Sequence, residues 1–293
     1  MDIALSESEQ AFRDEVRAFI RARLPQEIRE RLRLGHPPRK QDTVAWQRIL
    51  HERGWAAPHW PRAFGGAELG QLERLILMDE LYRAPAPLPQ VFNITMLGPV
   101  LMKFGTRQQQ EHFLPRLARL DLWFCQGFSE PGAGSDLASL RTSARRDGED
   151  YIVNGQKIWT TGGHDADYVW LACRTDADAP KHKGISILIV PTEDAGFEWS
   201  PINTVGGLMV TSTYYSGIRV PSKDVVGEVN GGWQLITAQL NHERIGLAAI
   251  GGRTYGLWNL VLDWAKVSPA WRVEVLIQVW SLVIAGCQRI SMK

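Results

Sequence analysis

A chain of 293 residues with 44% hydrophobic and 22% charged side chains is long enough to bury a sizeable core and to divide into more than one domain. Lys+Arg 33 against Asp+Glu 32 leaves a formal net charge of +1, which excludes the globally basic surface expected of a nucleic-acid binder or of a protein held on an anionic membrane. Three widely spaced cysteines (Cys125, Cys173 and Cys287) without a CxxC pair, and seven scattered histidines, support neither a disulfide framework nor a metal centre.

The start, MDIALSESEQ, is acidic and holds no apolar secretory core. Ser6 and Glu9 have capping-box spacing, and Phe12, Val16, Phe19 and Ile20 follow at helical intervals. Pro25 ends that helix or opens the next. Further helices are predicted over 45–53, 69–82, 93–104 and 108–117, separated by Gly/Pro punctuation. Near Trp123 the pattern changes to short β-like runs. Tyr151-Ile152-Val153, an Asn154-Gly155 turn and Lys157-Ile158-Trp159-Thr160-Thr161 read as a hairpin. More strands are expected over 168–173, 185–190 and 213–220. After Gly231-Gly232 the helical period returns, with Ile236, Leu240, Glu243 and Leu247 on one face, a placement that favours burial of Glu243. The apolar run 275–285 is interrupted by Gln278 and Ser281 and is too short to span a bilayer. No membrane span and a cytoplasmic location are expected. The predicted fold class is α+β and multidomain. An all-α N-terminal domain covers 1–121, a middle antiparallel, barrel-like β-domain covers 122–225, and the start of a C-terminal helical bundle covers 226–293.

Two stretches carry chemistry. Ser129-Glu130-Pro131-Gly132-Ala133-Gly134-Ser135-Asp136 reads as a surface turn on composition alone, or as a loop whose N–H groups and hydroxyls receive a phosphorylated cofactor. Trp159-Thr160-Thr161-Gly162-Gly163 sets a flat aromatic beside two hydroxyls, which suits either an ordinary amphipathic strand or a planar heterocycle with polar edges.

The two together, QGFSEPGAGSDLASLRT and then YIVNGQKIWTTGG, resemble the flavin-binding core of the acyl-CoA dehydrogenase family. The likeness continues through LSESEQAFRDEVRAFI, PRAFGGAELG, GTRQQQEHFLPRLARL, IRVPSKDVVGE and GGWQLITAQLNHERIGLA, and covers residues 1 to about 265. It implies FAD as cofactor. By position, Gln126, Phe128 and Ser129 would line the pyrimidine side of the flavin. Gly134 and Ser135 would approach the pyrophosphate and the bound thioester, and Trp159, Thr160 and Thr161 would contact the isoalloxazine ring. Asp136 would anchor the loop.

On the later helix, Asn241 and Arg244 would contact the CoA portion of the substrate; Arg244 reads alternatively as a surface or interface salt bridge. Glu243 matches the general-base position of the branch that resembles isovaleryl-CoA and long-chain enzymes. The implied reaction is α,β-dehydrogenation of an acyl-CoA thioester to the trans-2-enoyl-CoA, with electrons passed to an electron-transfer flavoprotein and a homo- or hetero-oligomer as the assembly. Other readings stay open: an acyl-CoA oxidase or flavin monooxygenase of the same fold, or a catalytically silent or truncated partner subunit. The resemblance weakens after Ala265. There VSPAWRVEVLIQVWSLVIAGCQRISMK lacks the family's arginine-containing flavin motif, and only one convincing bundle helix is expected. Truncation, an altered reading frame or a divergent tail each account for that.

Overall fold

The computed structural model describes residues 5–205, 209–248 and 251–267. Cys287, the apolar run 275–285 and the sequence after 267 lie outside the described residues, as does the side chain of Leu247.

The first third is helical. Ser6 caps α1 (Glu7–Arg23) through the expected box: its backbone N–H donates to Glu9 Oε2 at 2.7 Å, and the Glu9 N–H donates to Ser6 Oγ at 3.4 Å. There follow α2 (Gln26–Arg33), α3 (Lys40–Glu52), α4 (Gln71–Arg83), a wide-turn helix Phe92–Leu97 running directly into α5 (Gly98–Phe104), and α6 (Arg107–Arg119). Val16, Ile20, Trp46, Leu50, Trp55, Leu77 and Leu81 form one apolar core. A second core centres on Trp60, whose Nε1 donates to the Ile94 carbonyl at 2.9 Å. Gly98 is forced by this packing, because a Cβ there would lie 1.9 Å from the Trp60 ring.

The middle third forms one eight-stranded sheet among the described residues. Its strands are β1 (Phe124–Gly127), β2 (Ser143–Asp147), β3 (Asp150–Thr161), β4 (Tyr168–Arg174), β5 (Ile185–Pro191), β6 (Phe197–Asn203), β7 (Met209–Pro221) and β8 (Val225–Val226). The order is β6-β7-β3-β2-β4-β5-β8, with β1 beside β4. The sheet is mainly antiparallel, as expected, with two parallel pairs, β1–β4 and β2–β4.

The hairpin is displaced. The tight turn between β2 and β3 falls at Gly148 (φ +63°), and Asn154-Gly155 lies inside β3. There the two residues pair with Ser216 and Tyr215 of β7 across a register shift, Asn154 Oδ1 accepts the Gly217 N–H at 2.9 Å, and Gly155 presses against Thr142. Asn-Gly marks a bulge here rather than a turn.

Two helices follow, α7 (Gly232–Ala248) and α8 (Gly251–Val267), one more than the sequence pattern suggested. α7 packs on the wide-turn helix, α5 and β5, and α8 packs on α4. Thus α7 bridges the helical and β layers, and positions 241–244 lie near its C-terminal end. Among the described residues no helix is long and apolar enough to cross a membrane.

Candidate functional site

The loop that leaves β1 is tied to β3 at its base. The Ile158 N–H donates to the Ser129 carbonyl at 2.9 Å, and Glu130 and Ala133 exchange backbone bonds of 2.9 and 3.1 Å that close a tight turn. The Glu130 carboxylate accepts the N–H groups of Arg141 (2.7 Å) and Thr142 (2.9 Å), so one side chain joins the two ends of the loop. It also accepts from Lys157 Nζ at 2.8 Å, and the same ammonium donates to the Phe128 carbonyl at 2.9 Å. The Lys157 side chain is 0% exposed. Burial draws its pKa below the usual lysine value, with Glu130 opposing. Burial acts to raise the Glu130 carboxyl, but Lys157 and the two backbone amides outweigh it and hold the carboxyl below its ordinary range. At the far side of the loop Asp136 accepts from Ser139 and pairs with Lys181 at 2.7 Å, consistent with an anchoring part.

Beyond Lys157 the β3–β7 register shifts again, and Trp159 takes φ +64°. Its indole is consequently turned out of the sheet and is 60% exposed. Thr161, two residues on, is exposed as well. The bond from Ile158 to Ser129 holds half-buried Ser129 next to this ledge, and Gln126, also half-buried, lies on β1.

Two of the expected residues point elsewhere. Thr160 is buried, its Oγ1 has no partner, and its carbonyl accepts from Thr211 Oγ1 at 2.9 Å, so its side chain is interior to the sheet. The Phe128 ring is buried in the core with Ala133, Leu137 and Leu140. Gly134 and Ser135 are exposed on the loop, and a Cβ on Gly134 would meet nothing within 4 Å.

On α7, Ile236 is buried, Leu240 and Glu243 are half-buried, and Asn241 and Arg244 are exposed. The predicted face therefore holds as far as Glu243. One turn earlier Gln239 is fully buried with both amide atoms unpartnered. His59, in the turn before Trp60, is depressed to about 4 by burial, with Arg74 and His242 adding to the effect.

The Lys157–Glu130 pair, Gln239 and His59 escaped sequence reasoning. Lys157 carried one usable signal: it lies between two strand residues of a motif and pairs, by charge, with a glutamate inside the neighbouring motif.

Known proteins agree with this layout. The acyl-CoA dehydrogenase N-terminal domain matches residues 6–121 and the acyl-CoA dehydrogenase middle domain matches residues 125–217. Acyl-CoA dehydrogenase FadE26 of Mycobacterium tuberculosis is 43% identical over 274 residues, which cover 91% of this chain and 67% of the relative. Acyl-CoA dehydrogenase FadE29 of the same organism is 44% identical over 269 residues, covering 91% and 68%. Among solved structures, the Tcur3481-Tcur3483 steroid ACAD superposes with a TM-score of 0.86 at 46% identity, covering 97% of this chain and 75% of that one. The ChsE4-ChsE5 complex from Mycobacterium tuberculosis gives 0.71 at 44% identity, covering 83% and 61%. The chain belongs to the acyl-CoA dehydrogenase family of oxidoreductases.

Proposed function

We propose that this chain serves the FAD-dependent α,β-dehydrogenation of an acyl-CoA thioester to the trans-2-enoyl-CoA, with an electron-transfer flavoprotein as electron acceptor. The observation that carries the reading is the outward indole of Trp159, held by a left-handed backbone beside Ser129. The residues fit the cofactor. A flat apolar face, a half-buried amide at Gln126, hydroxyls at Ser129, Ser135 and Thr161, and open space over Gly134 match a planar ring with polar edges and a pyrophosphate.

When bound, FAD supplies the redox chemistry by accepting a hydride from the substrate β-carbon. The chain supplies orientation and a base. Trp159 offers its ring face, while Gln126, Ser129 and Thr161 offer polar groups to the rim. Phe128 and Thr160 act through their backbone, since their side chains are interior. Gly134 lets the backbone come close to a phosphate, and the Ser135 hydroxyl reaches either phosphate or thioester. Glu243, half-buried, removes the α-proton. Asn241 and Arg244, on the solvent side of α7, hold the CoA portion.

A steroid-derived acyl-CoA is the substrate to try first, and a heteromer the assembly, because one similar structure is described as a steroid ACAD and another as a two-protein complex. The cytoplasm is the proposed location. The deciding experiment purifies the chain alone and with a co-expressed family partner, then adds acyl-CoA without oxygen. Yellow protein that bleaches and releases enoyl-CoA supports the proposal. Flavin held only by the partner favours a silent subunit. Rapid reoxidation by oxygen and not by an electron-transfer flavoprotein favours an oxidase or monooxygenase. Colourless protein in both preparations overturns the reading.

A further inference from the structure

We infer that Lys157 and Glu130 are positioning residues of the cofactor site: the buried ion pair sets the spacing between the loop after β1 and the Trp159–Thr161 ledge, and thereby cofactor affinity. The inference rests on the flavin reading above.

The pair is a poor device for stability alone. Burying an ammonium and a carboxylate is costly, and an apolar pair of similar volume often serves a core as well or better. What an apolar pair cannot do is hold several specific backbone groups at once. Lys157 Nζ spans the Phe128 carbonyl and Glu130 Oε1, so it fixes both sides of Ser129. The Glu130 carboxylate continues the connection to the amides of Arg141 and Thr142 and closes the loop at its base. Gly132, Gly134 and Ser135, all exposed, hang from that closure. On the other side, Lys157 pairs with Thr213 as the last regular register position before the shift that turns Trp159 outward. The clamp and the bulge are thus two residues apart on one strand, and between them they place both halves of the flavin surface.

The test uses the full chain, with a partner if the parent needs one to hold FAD. Lys157→Met, Glu130→Gln and the double variant Lys157→Met/Glu130→Gln are compared by FAD titration, by the visible spectrum of bound flavin and by the melting temperature without FAD. Lys157→Met should bind FAD roughly ten- to a hundredfold more weakly, the range for losing charged hydrogen bonds, and should shift the bound-flavin spectrum. Glu130→Gln, which keeps the shape of the side chain, should lose affinity in the same direction. The double variant should recover melting temperature relative to Lys157→Met without recovering affinity. Parental affinity and spectrum in a folded double variant, or in Glu130→Gln should the others fail to fold, overturn the inference. A parent protein that binds no FAD overturns the functional reading, and this inference with it.

Discussion

Trp159 is one of four non-glycine residues with a positive φ in the described chain, and a backbone held there costs on the order of 1–3 kcal/mol. If that cost is retained for cofactor contact, Trp159→Ala should weaken FAD binding roughly tenfold through the lost ring contact. Trp159→Gly should show the same loss with an unchanged or higher melting temperature in the absence of FAD, since glycine relieves the backbone. Titration and thermal melts on both variants separate the two effects. Glu243 and Arg244 are separable for a geometric reason: neighbouring helix residues point about 100° apart. Glu243→Gln should still bind acyl-CoA and reduce flavin roughly two to four orders of magnitude more slowly, the range for a general base. Arg244→Lys should chiefly weaken acyl-CoA binding. Stopped-flow flavin reduction against substrate titration reads the split, and a normal rate in the Gln variant places the base elsewhere. At this scale the two glycine- and tryptophan-bearing motifs were legible because they concentrate uncommon residues. The orientation of Thr160 was not, because strand alternation is interrupted by the bulge that precedes it, nor was that of Phe128, which lies just past the end of β1 where alternation no longer applies. Lys157 was hidden by its own chemistry, since a lysine in a strand ordinarily faces water.

Among the elements, Asn154-Gly155 shows how a strong local signal is overruled. Asn-Gly is turn chemistry in isolation, yet both residues lie opposite β7 and the strand continues through them across a bulge. A two-residue turn is a local event; a continuous strand depends on a partner far along the chain, which no local pattern announces. Gly155 is nonetheless required where it stands. A Cβ there would lie 2.6 Å from Thr142 Oγ1 and 2.7 Å from Thr142 Cα. Gly155→Val should destabilise the protein by about 1–3 kcal/mol through overpacking against backbone, measured by urea unfolding, whereas Arg145→Lys, at an exposed position of β2, should change stability by less than about 0.5 kcal/mol. Most helices of the first third were readable because the Ser6 capping box and the apolar stripes are local; α2 was marked only by Pro25, and α3 begins five residues before the expected position 45. α8 was not, since glycine, threonine, valine and tryptophan make it a weak helix former; its packing on α4 supplies what propensity lacks.

For the whole molecule, pH acts through a group that the proposed chemistry does not use. His59 titrates near 4 in the folded protein against 6.5 for an ordinary histidine, because burial favours its neutral form. Above 6.5 neither folded nor unfolded chain carries its proton. As pH falls below 6.5 the unfolded chain binds the proton first, so stability is lost progressively down to about 4. Between pH 7 and 5 this amounts to about 2 kcal/mol. His59→Gln should remove that part of the slope, and urea midpoints for parent and variant at the two pH values should converge or cross on acidification. Parallel slopes would place the acid sensitivity in other groups.

The longest ladder of the sheet has a consequence in time. β3 pairs with β7 from Asp150 opposite Pro221 to Thr161 opposite Val210, while β2 is joined to β3 by the turn at Gly148. On the ribosome the β2–β3 hairpin can therefore close at once, but the other edge of β3 must wait for β7 to be made. At roughly 5–20 residues per second the wait lasts several seconds, during which a twelve-residue strand offers unpaired amides and carbonyls to any neighbouring nascent chain. Synthesis slowed within residues 162–221 lengthens that window, and the yield of soluble protein should fall with it.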